Sequence, residues 1–183
     1  MEEKKFKLPK IGMRIIKTLI SCLIVALVYH YLLDGRNPCF ACIGAVYGMG
    51  ARYKDGFHSG FNRFVGTLIG GMMVIPFYYL CYTDPFGIPP EIYMVTGLFF
   101  VIYLNLLFGA NNAIQPGTVV YFVVMYTQPW ENYVGYTIAR VIDTGVGIIV
   151  SLIISRLFPS QWDKNEKTRI SDAFRHWKQL QHK

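Results

Sequence analysis

The sequence predicts an all-α integral membrane protein, with six transmembrane helices arranged as two inverted three-helix repeats. Three observations lead there. Only 16% of the 183 residues are Asp, Glu, Lys or Arg and 53% are apolar, whereas soluble domains carry about one quarter charged residues. The charges are also uneven: residues 64–155 hold five (Asp84, Glu91, Glu131, Arg140, Asp143), and residues 92–130 hold none. Finally, a short motif in one long apolar run returns in the last one. This composition excludes a disordered chain, and four cysteines do not make a disulfide scaffold. The net charge of +7 suggests nucleic acid at first. The cations, however, collect at the two ends and in one loop with no basic-aromatic patch between them, so the expected partner is membrane lipid and not nucleic acid.

A spanning helix needs about 20 apolar residues, and six runs bounded by Pro, Gly or charge are candidates. The first is 15–33. It has a basic start but ends in Tyr29-His30-Tyr31 without a small-residue cleavage site, so it reads as a retained span and not a secretory signal. The second, 38–51, is short and rich in glycine. The third, 64–82, stops at Asp84-Pro85, and the fourth, 92–108, follows Pro89-Pro90. The uncharged stretch is too long for one helix, and Asn111-Asn112 with Gln115-Pro116-Gly117 supplies the break. A short fifth span at 117–127 and a sixth at 133–158 complete the set. Residues 1–14 form an amphipathic cytoplasmic N-terminus, 15–158 the transmembrane domain and 159–183 a basic amphipathic cytoplasmic tail. In that tail Ile170, Phe174, Trp177 and Leu180 recur at helical spacing, suited either to an anionic membrane surface or to docking a partner.

Lys and Arg set the orientation. Six lie at the N-terminal end, three between spans two and three, and seven from Arg156 onward, which leaves Arg36 and Arg140. With the N-terminus inside, sixteen cations face the cytoplasm. A multi-pass plasma-membrane protein with both termini cytoplasmic is therefore expected.

Arg63-x-x-x-Thr67-x-x-Gly70 recurs 77 residues later as Arg140-x-x-x-Thr144-x-x-Gly147. Each copy lies at or near the start of the third helix in a set of three. Because three is odd, consecutive copies insert with opposite orientation, an arrangement typical of secondary transporters, whose sites lie near the midplane and are marked by short or interrupted helices at matching positions. Spans two and five are the short pair.

The stretch Asn62-Arg63-Phe64-Val65-Gly66-Thr67-Leu68-Ile69-Gly70-Gly71, the later Arg140-x-x-Asp143-Thr144-x-x-Gly147 and the opening Ile11-Gly12-Met13-Arg14-Ile15-Ile16-Lys17-Thr18 resemble the membrane half of the fusaric acid resistance and aromatic acid exporter family. The resemblance covers about residues 8–158. It implies an inner-membrane helical bundle, export of aromatic carboxylic acids, and a homo-oligomer. Many larger relatives carry a sizeable cytoplasmic domain, where this sequence has 25 residues after Phe158.

Charge inside a spanning helix costs about 2.5–3.5 kcal/mol on insertion scales and marks function by default. Arg140 and Asp143 share a helix face and can pair. They form either a structural ion pair or a site at which Arg140 receives a carboxylate and Asp143 handles a proton. Arg63 is either a cytoplasmic anchor or, as the counterpart of Arg140, a second anion contact, with Gly66 standing where the later copy has Asp143. The substrate pathway is thus expected to draw on Arg140, Asp143, Thr144, Arg63, Thr67, Asn111, Asn112 and Gln115, the last three forming either a turn or a cavity lining. Asn105 is a further polar group that hydrocarbon would penalise. Gly44, Gly48, Gly66, Gly70, Gly71 and Gly147 read as helix-packing seams, and not as phosphate loops, since no strand or Lys-Ser/Thr accompanies them.

Cys39-Phe-Ala-Cys42 has no second pair or histidine with which to bind zinc. No Ser-His-Asp, paired-carboxylate or metal-ligand set lies at one depth, so no catalytic residues, metal or cofactor are expected. Aromatics cluster at helix ends as an interfacial belt; Tyr47, Tyr93, Tyr103 and Tyr121 are the interior candidates for lining an aromatic path. The expected function is export of small organic anions, and the rival is a non-transporting scaffold or regulatory subunit for a partner protein.

Overall fold

A computed structural model describes residues 12–33 and 36–158, together with Arg175, Trp177 and Gln179. Among these residues all regular structure is helical. The order is α1 (Met13–Leu32), α2 (Cys39–Gly48), α3 (Tyr53–Thr83), α4 (Pro90–Leu107), a 3-10 turn (Asn111–Ala113), α5 (Ile114–Thr127) and α6 (Tyr133–Leu157).

Polarity is turned inside out relative to a water-soluble bundle. Along α6 the buried positions include Thr137, Arg140, Asp143, Thr144, Ser151 and Ser155, while Ile138, Ile142, Ile149 and Ile153 point outward. Along α1, Lys17 and Ser21 are buried and Leu19, Leu23 and Leu27 are exposed. Only a hydrocarbon surrounding makes that arrangement favourable, and four helices (α1, α3, α4 and α6) are long and apolar enough to cross a membrane. Six spans were expected, the short second and fifth either crossing fully or dipping in and returning. The ten residues of α2 and fourteen of α5 rise about 15 and 21 Å, short of a hydrocarbon core about 30 Å thick.

Two boundaries differ from the sequence reading. Helix α3 begins at Tyr53, eleven residues before the expected start of span three. Gly50 and Gly56 allow the turn that makes this possible: a Cβ on Gly56 would meet the Gly48 carbonyl, and the Arg52 backbone N–H donates to Asp55 Oδ2 at 3.3 Å, satisfying the new helix start. Arg63 is consequently well inside a helix and not at its edge. At its other end α3 stops where Asp84 adopts φ 37°. The Asp84 Oδ1 carboxylate accepts from the Ile88 backbone N–H at 3.0 Å and the Tyr93 hydroxyl at 3.2 Å, fastening the turn into α4.

The two short helices pack across the chain. Helix α2 makes its widest contact with α6, and α5 makes its own with α3. Small residues permit backbone approach in both places. Built Cβ atoms on Gly147 and Gly66 would collide with the carbonyl oxygens of Ala41 and Ala113, one on Gly70 with that of Gly117, and one on Gly44 would lie 2.6 Å from that of Thr144. Gly48 meets the Ser151 hydroxyl, and Gly71 has the loosest setting, 3.0 Å from Thr137 Cγ2. Helix α1 then covers α2 and α6, as α4 covers α5 and α3. At the helix ends Tyr78, Tyr82, Trp130 and Tyr133 stack on one another, Tyr82 and Trp130 with centroids 4.1 Å apart. This cluster, with the Tyr78 hydroxyl on the Gln128 carbonyl, ties α3 to the α5–α6 connection.

Substituting Gly147→Ala or Gly66→Ala should lower stability by about 1–3 kcal/mol, the range for overpacking, read as a drop in thermal unfolding temperature in detergent. Gly135, with nothing within 4 Å of a built Cβ, should accept alanine at no loss.

Candidate functional site

Three residues of an α-helix bring a side chain most of the way around to the same face, so Arg140 and Asp143 emerge together toward α1 and α2. Asp143 is completely buried and Arg140 is 6% exposed. Arg140 Nη2 lies 3.3 Å from Asp143 Oδ2. The other carboxylate oxygen, Oδ1, accepts a hydrogen bond from the Tyr29 hydroxyl at 2.8 Å and lies 3.2 Å from Arg36 Nη2. The Arg140 guanidinium stands over two rings, 4.4 Å from the centroid of Phe40 and 4.3 Å from that of Tyr136, where it gains cation–π attraction in place of water.

Neither ion contact is aligned as a hydrogen bond: Asp143 Oδ2, Arg36 Nη2 and Arg140 Nε each lack a hydrogen-bond partner. Two guanidinium groups share one carboxylate, so the cluster carries one surplus positive charge and unspent donors.

Arg63, on α3, is equally buried at 5% exposure. It has no acid nearby in its own helix turn. Its guanidinium carbon sits 4.7 Å from the centroid of the Tyr47 ring, and its Nε has no hydrogen-bond partner. A cavity of 280 Å³ opens beside it, bordered by Tyr47, His58, Asn62, Asn112 and Pro116. The arginine fork suits a carboxylate, and the ring alongside offers a face for an aromatic body.

The remaining expected residues divide. The Thr67 and Thr144 hydroxyls are buried and donate to the carbonyls one turn back, Arg63 at 2.9 Å and Arg140 at 2.8 Å, so both are committed to backbone. All three of the others are exposed: Asn111 and Asn112 in the 3-10 turn, with Asn112 bordering the Arg63 cavity, and Gln115 in the first turn of α5. Asn105 is fully buried, its Nδ2 donating to the Val101 carbonyl at 2.8 Å and its Oδ1 unpartnered. Tyr93 and Tyr121 are interior but spend their hydroxyls on Asp84 and on the Met94 carbonyl. Tyr103 points outward. The four cysteines are free thiols, with Cys22 and Cys42 each donating to the other's carbonyl at 3.8 and 3.9 Å.

Sequence reasoning passed over Tyr29, Arg36, Phe40 and Tyr136. Tyr136 stands four residues before Arg140, a spacing that puts it on the same face. Arg36 is the lone cation of its loop, and Phe40 lies inside the Cys39–Cys42 pair. Tyr29 continues the i, i+4 row Lys17, Ser21, Val25.

A helical bundle with exposed isoleucines and leucines around two buried arginines has the surface of a membrane protein that keeps charge in its interior. The family model for aromatic acid exporter family member 1 matches residues 9–158, and the chain belongs to that family of membrane transport proteins. No curated protein and no solved structure matches it.

Asp143→Asn leaves the buried Arg140 guanidinium, and the half-exposed Arg36 beside it, without a counter-charge and should cost about 3–5 kcal/mol. Arg140→Gln should cost less, because Arg36 remains beside the carboxylate, and the double variant should recover part of the Asp143→Asn loss. Thermal unfolding of the three proteins in one detergent checks the order.

Proposed function

We propose that the protein exports small organic anions, aromatic carboxylic acids in particular, across the plasma membrane, by exposing a site between two inverted halves first to one side and then to the other. The observation that carries this reading is the pair of buried arginines, Arg63 and Arg140, each resting on aromatic rings and each retaining an unpartnered Nε. Family membership supplies the substrate class.

The packing supports the inverted halves. Helix α2 lies on α6 while α5 lies on α3, and the glycines at the two contacts, Gly147 and Gly70, are the matched positions of the 77-residue repeat. Arg63 and Arg140 are matched in the same way. Their surroundings are not: Arg63 opens on a cavity and lacks an acid, and Arg140 is held by Asp143 under Phe40 and Tyr136. In this reading Arg63 receives the carboxylate from the cytoplasm. The Tyr29–Asp143–Arg36–Arg140 cluster is the closed outer gate, which a passing carboxylate opens by competing with Asp143 for the two guanidinium groups. A positively charged path is easier to enclose between copies of so small a bundle, and we infer a homo-oligomer with both termini cytoplasmic.

Purified protein in vesicles should move radiolabelled 4-hydroxybenzoate, and Arg63→Ala and Arg140→Ala should each reduce that flux at least tenfold without loss of the folded protein. Unchanged flux in both variants overturns the reading. Cysteines placed singly at Asn37, Asn112 and Glu131, in a protein whose four native cysteines are serine, should label from the outside at the first and third and from the cytoplasm at the second.

A further inference from the structure

The Arg63 cavity is the inner of two that meet at Tyr47. A second cavity, of 380 Å³, is bordered by Arg14, Tyr47, Gly50, Asp55 and Ser59. Tyr47 and Ser59 also border the cavity of Arg63. Helix α3 accounts for the continuity. Asp55, Ser59 and Arg63 are spaced by four, which sets them in one row on one helix face, each about 6 Å further along the axis than the last. Asp55 borders the outer cavity, Ser59 both, and Arg63 the inner.

Charge along this row is unbalanced. The Asp55 carboxylate is spent locally: its Oδ2 accepts from the Arg52 backbone N–H at 3.3 Å and lies 3.9 Å from Arg52 Nε. Arg14, exposed in the first turn of α1, makes no ion pair among the described residues. Neither does Lys17, one turn further in and 5% exposed. The Ser59 hydroxyl at the shared border has no hydrogen-bond partner among them either. An anion entering the outer cavity thus meets an unpaired guanidinium, then a hydroxyl and the Tyr47 ring, then the guanidinium of Arg63 with its unpartnered Nε. Tyr47 stands between the two cations: Arg63 holds its ring at 4.7 Å, yet 43% of the residue is exposed.

We propose that the outer cavity is the vestibule of the Arg63 site, that Arg14 makes the first contact with an incoming carboxylate, and that the Tyr47 ring is the partition it passes to reach Arg63. The inference rests on the transport reading for its ligand class. Arg14 acts on capture, because a charge at the rim changes the rate of encounter and its dependence on salt. Arg63 holds the anion once water is left behind.

In vesicles, Arg14→Ala should raise KM for 4-hydroxybenzoate by about 3- to 10-fold with little change in kcat, an effect between that of an exposed ion pair and that of a charge-assisted hydrogen bond. Arg14→Lys should recover most of the loss. KM should climb with added salt in the unaltered protein and hardly move in Arg14→Ala. Ser59→Cys, in a protein whose four native cysteines are serine, should react in detergent with a water-soluble maleimide. Adding 4-hydroxybenzoate should slow that reaction, less effectively in the Arg14→Ala background, and the labelled protein should carry no flux. Full flux through the labelled protein, no protection by 4-hydroxybenzoate, or a kcat loss in Arg14→Ala with KM and its salt dependence unchanged each overturns the vestibule. If Arg63→Ala is still inactive in that case, the transport reading stands. Protection that weakens in Arg14→Ala, in protein that moves no substrate, upholds the vestibule as an anion site and removes the transport reading.

Discussion

Close approach of backbones is the constraint on which this structure depends. Two short helices, α2 and α5, lie against α6 and α3 with glycine on one or both sides of each contact. Hydrocarbon offers no hydrophobic drive to bring helices together, so association rests on van der Waals contact and polar pairing, and both weaken quickly with distance. Side chains at Gly66, Gly70 or Gly147 would separate the axes. They would also withdraw Phe40 from Arg140 and the α5 start from Arg63, because those partners ride on the short helices.

Once that approach is made, the charges follow. Arg140 and Asp143 are set on the inner face of α6 by helical spacing, and α2 brings Phe40 to the guanidinium. A guanidinium hydrates more weakly than an ammonium and stacks on rings, which explains why arginine and not lysine occupies both deep positions. The two sites differ in accounting for their charge. Asp143 is shared among Arg140, Arg36 and Tyr29, so the cluster cross-links α6 to α1 and to the α1–α2 loop. Arg63 has a ring and a cavity instead of an acid. A bound carboxylate would do most for the site that has least.

Much of this was legible in the sequence because the signals are periodic or local. The four long helices follow from apolar run length, and their ends from Pro89-Pro90, Asp84 and Asn111-Asn112. The Arg140–Asp143 pairing follows from a spacing of three. What escaped required contacts between distant segments. The Tyr29 hydroxyl meets Asp143 across 114 positions of chain, and nothing in the apolar stretch around Tyr29 distinguishes it from the belt tyrosines. The early start of α3 was hidden because residues 53–63 are polar and glycine-containing, a composition that reads as loop until α2 and α6 cover it. Arg63 was therefore placed at an edge when it is inside. The rows of Thr67 and Thr144 were legible as positions but not as roles, since a hydroxyl bonded to the carbonyl one turn back looks the same in sequence as one aimed at a ligand.

The shortness of α2 has an electrical side. Ten residues cover about half the hydrocarbon thickness, and beyond Gly48 the chain lines a cavity of 380 Å³ with Tyr47, Met49, Gly50 and Asp55 at its border. Water admitted there carries bulk dielectric inward, and a voltage across the bilayer drops mainly over whatever remains dry. Any charge held in that dry part senses most of the field, at about 2.3 kcal/mol per elementary charge for each 100 mV across the whole bilayer.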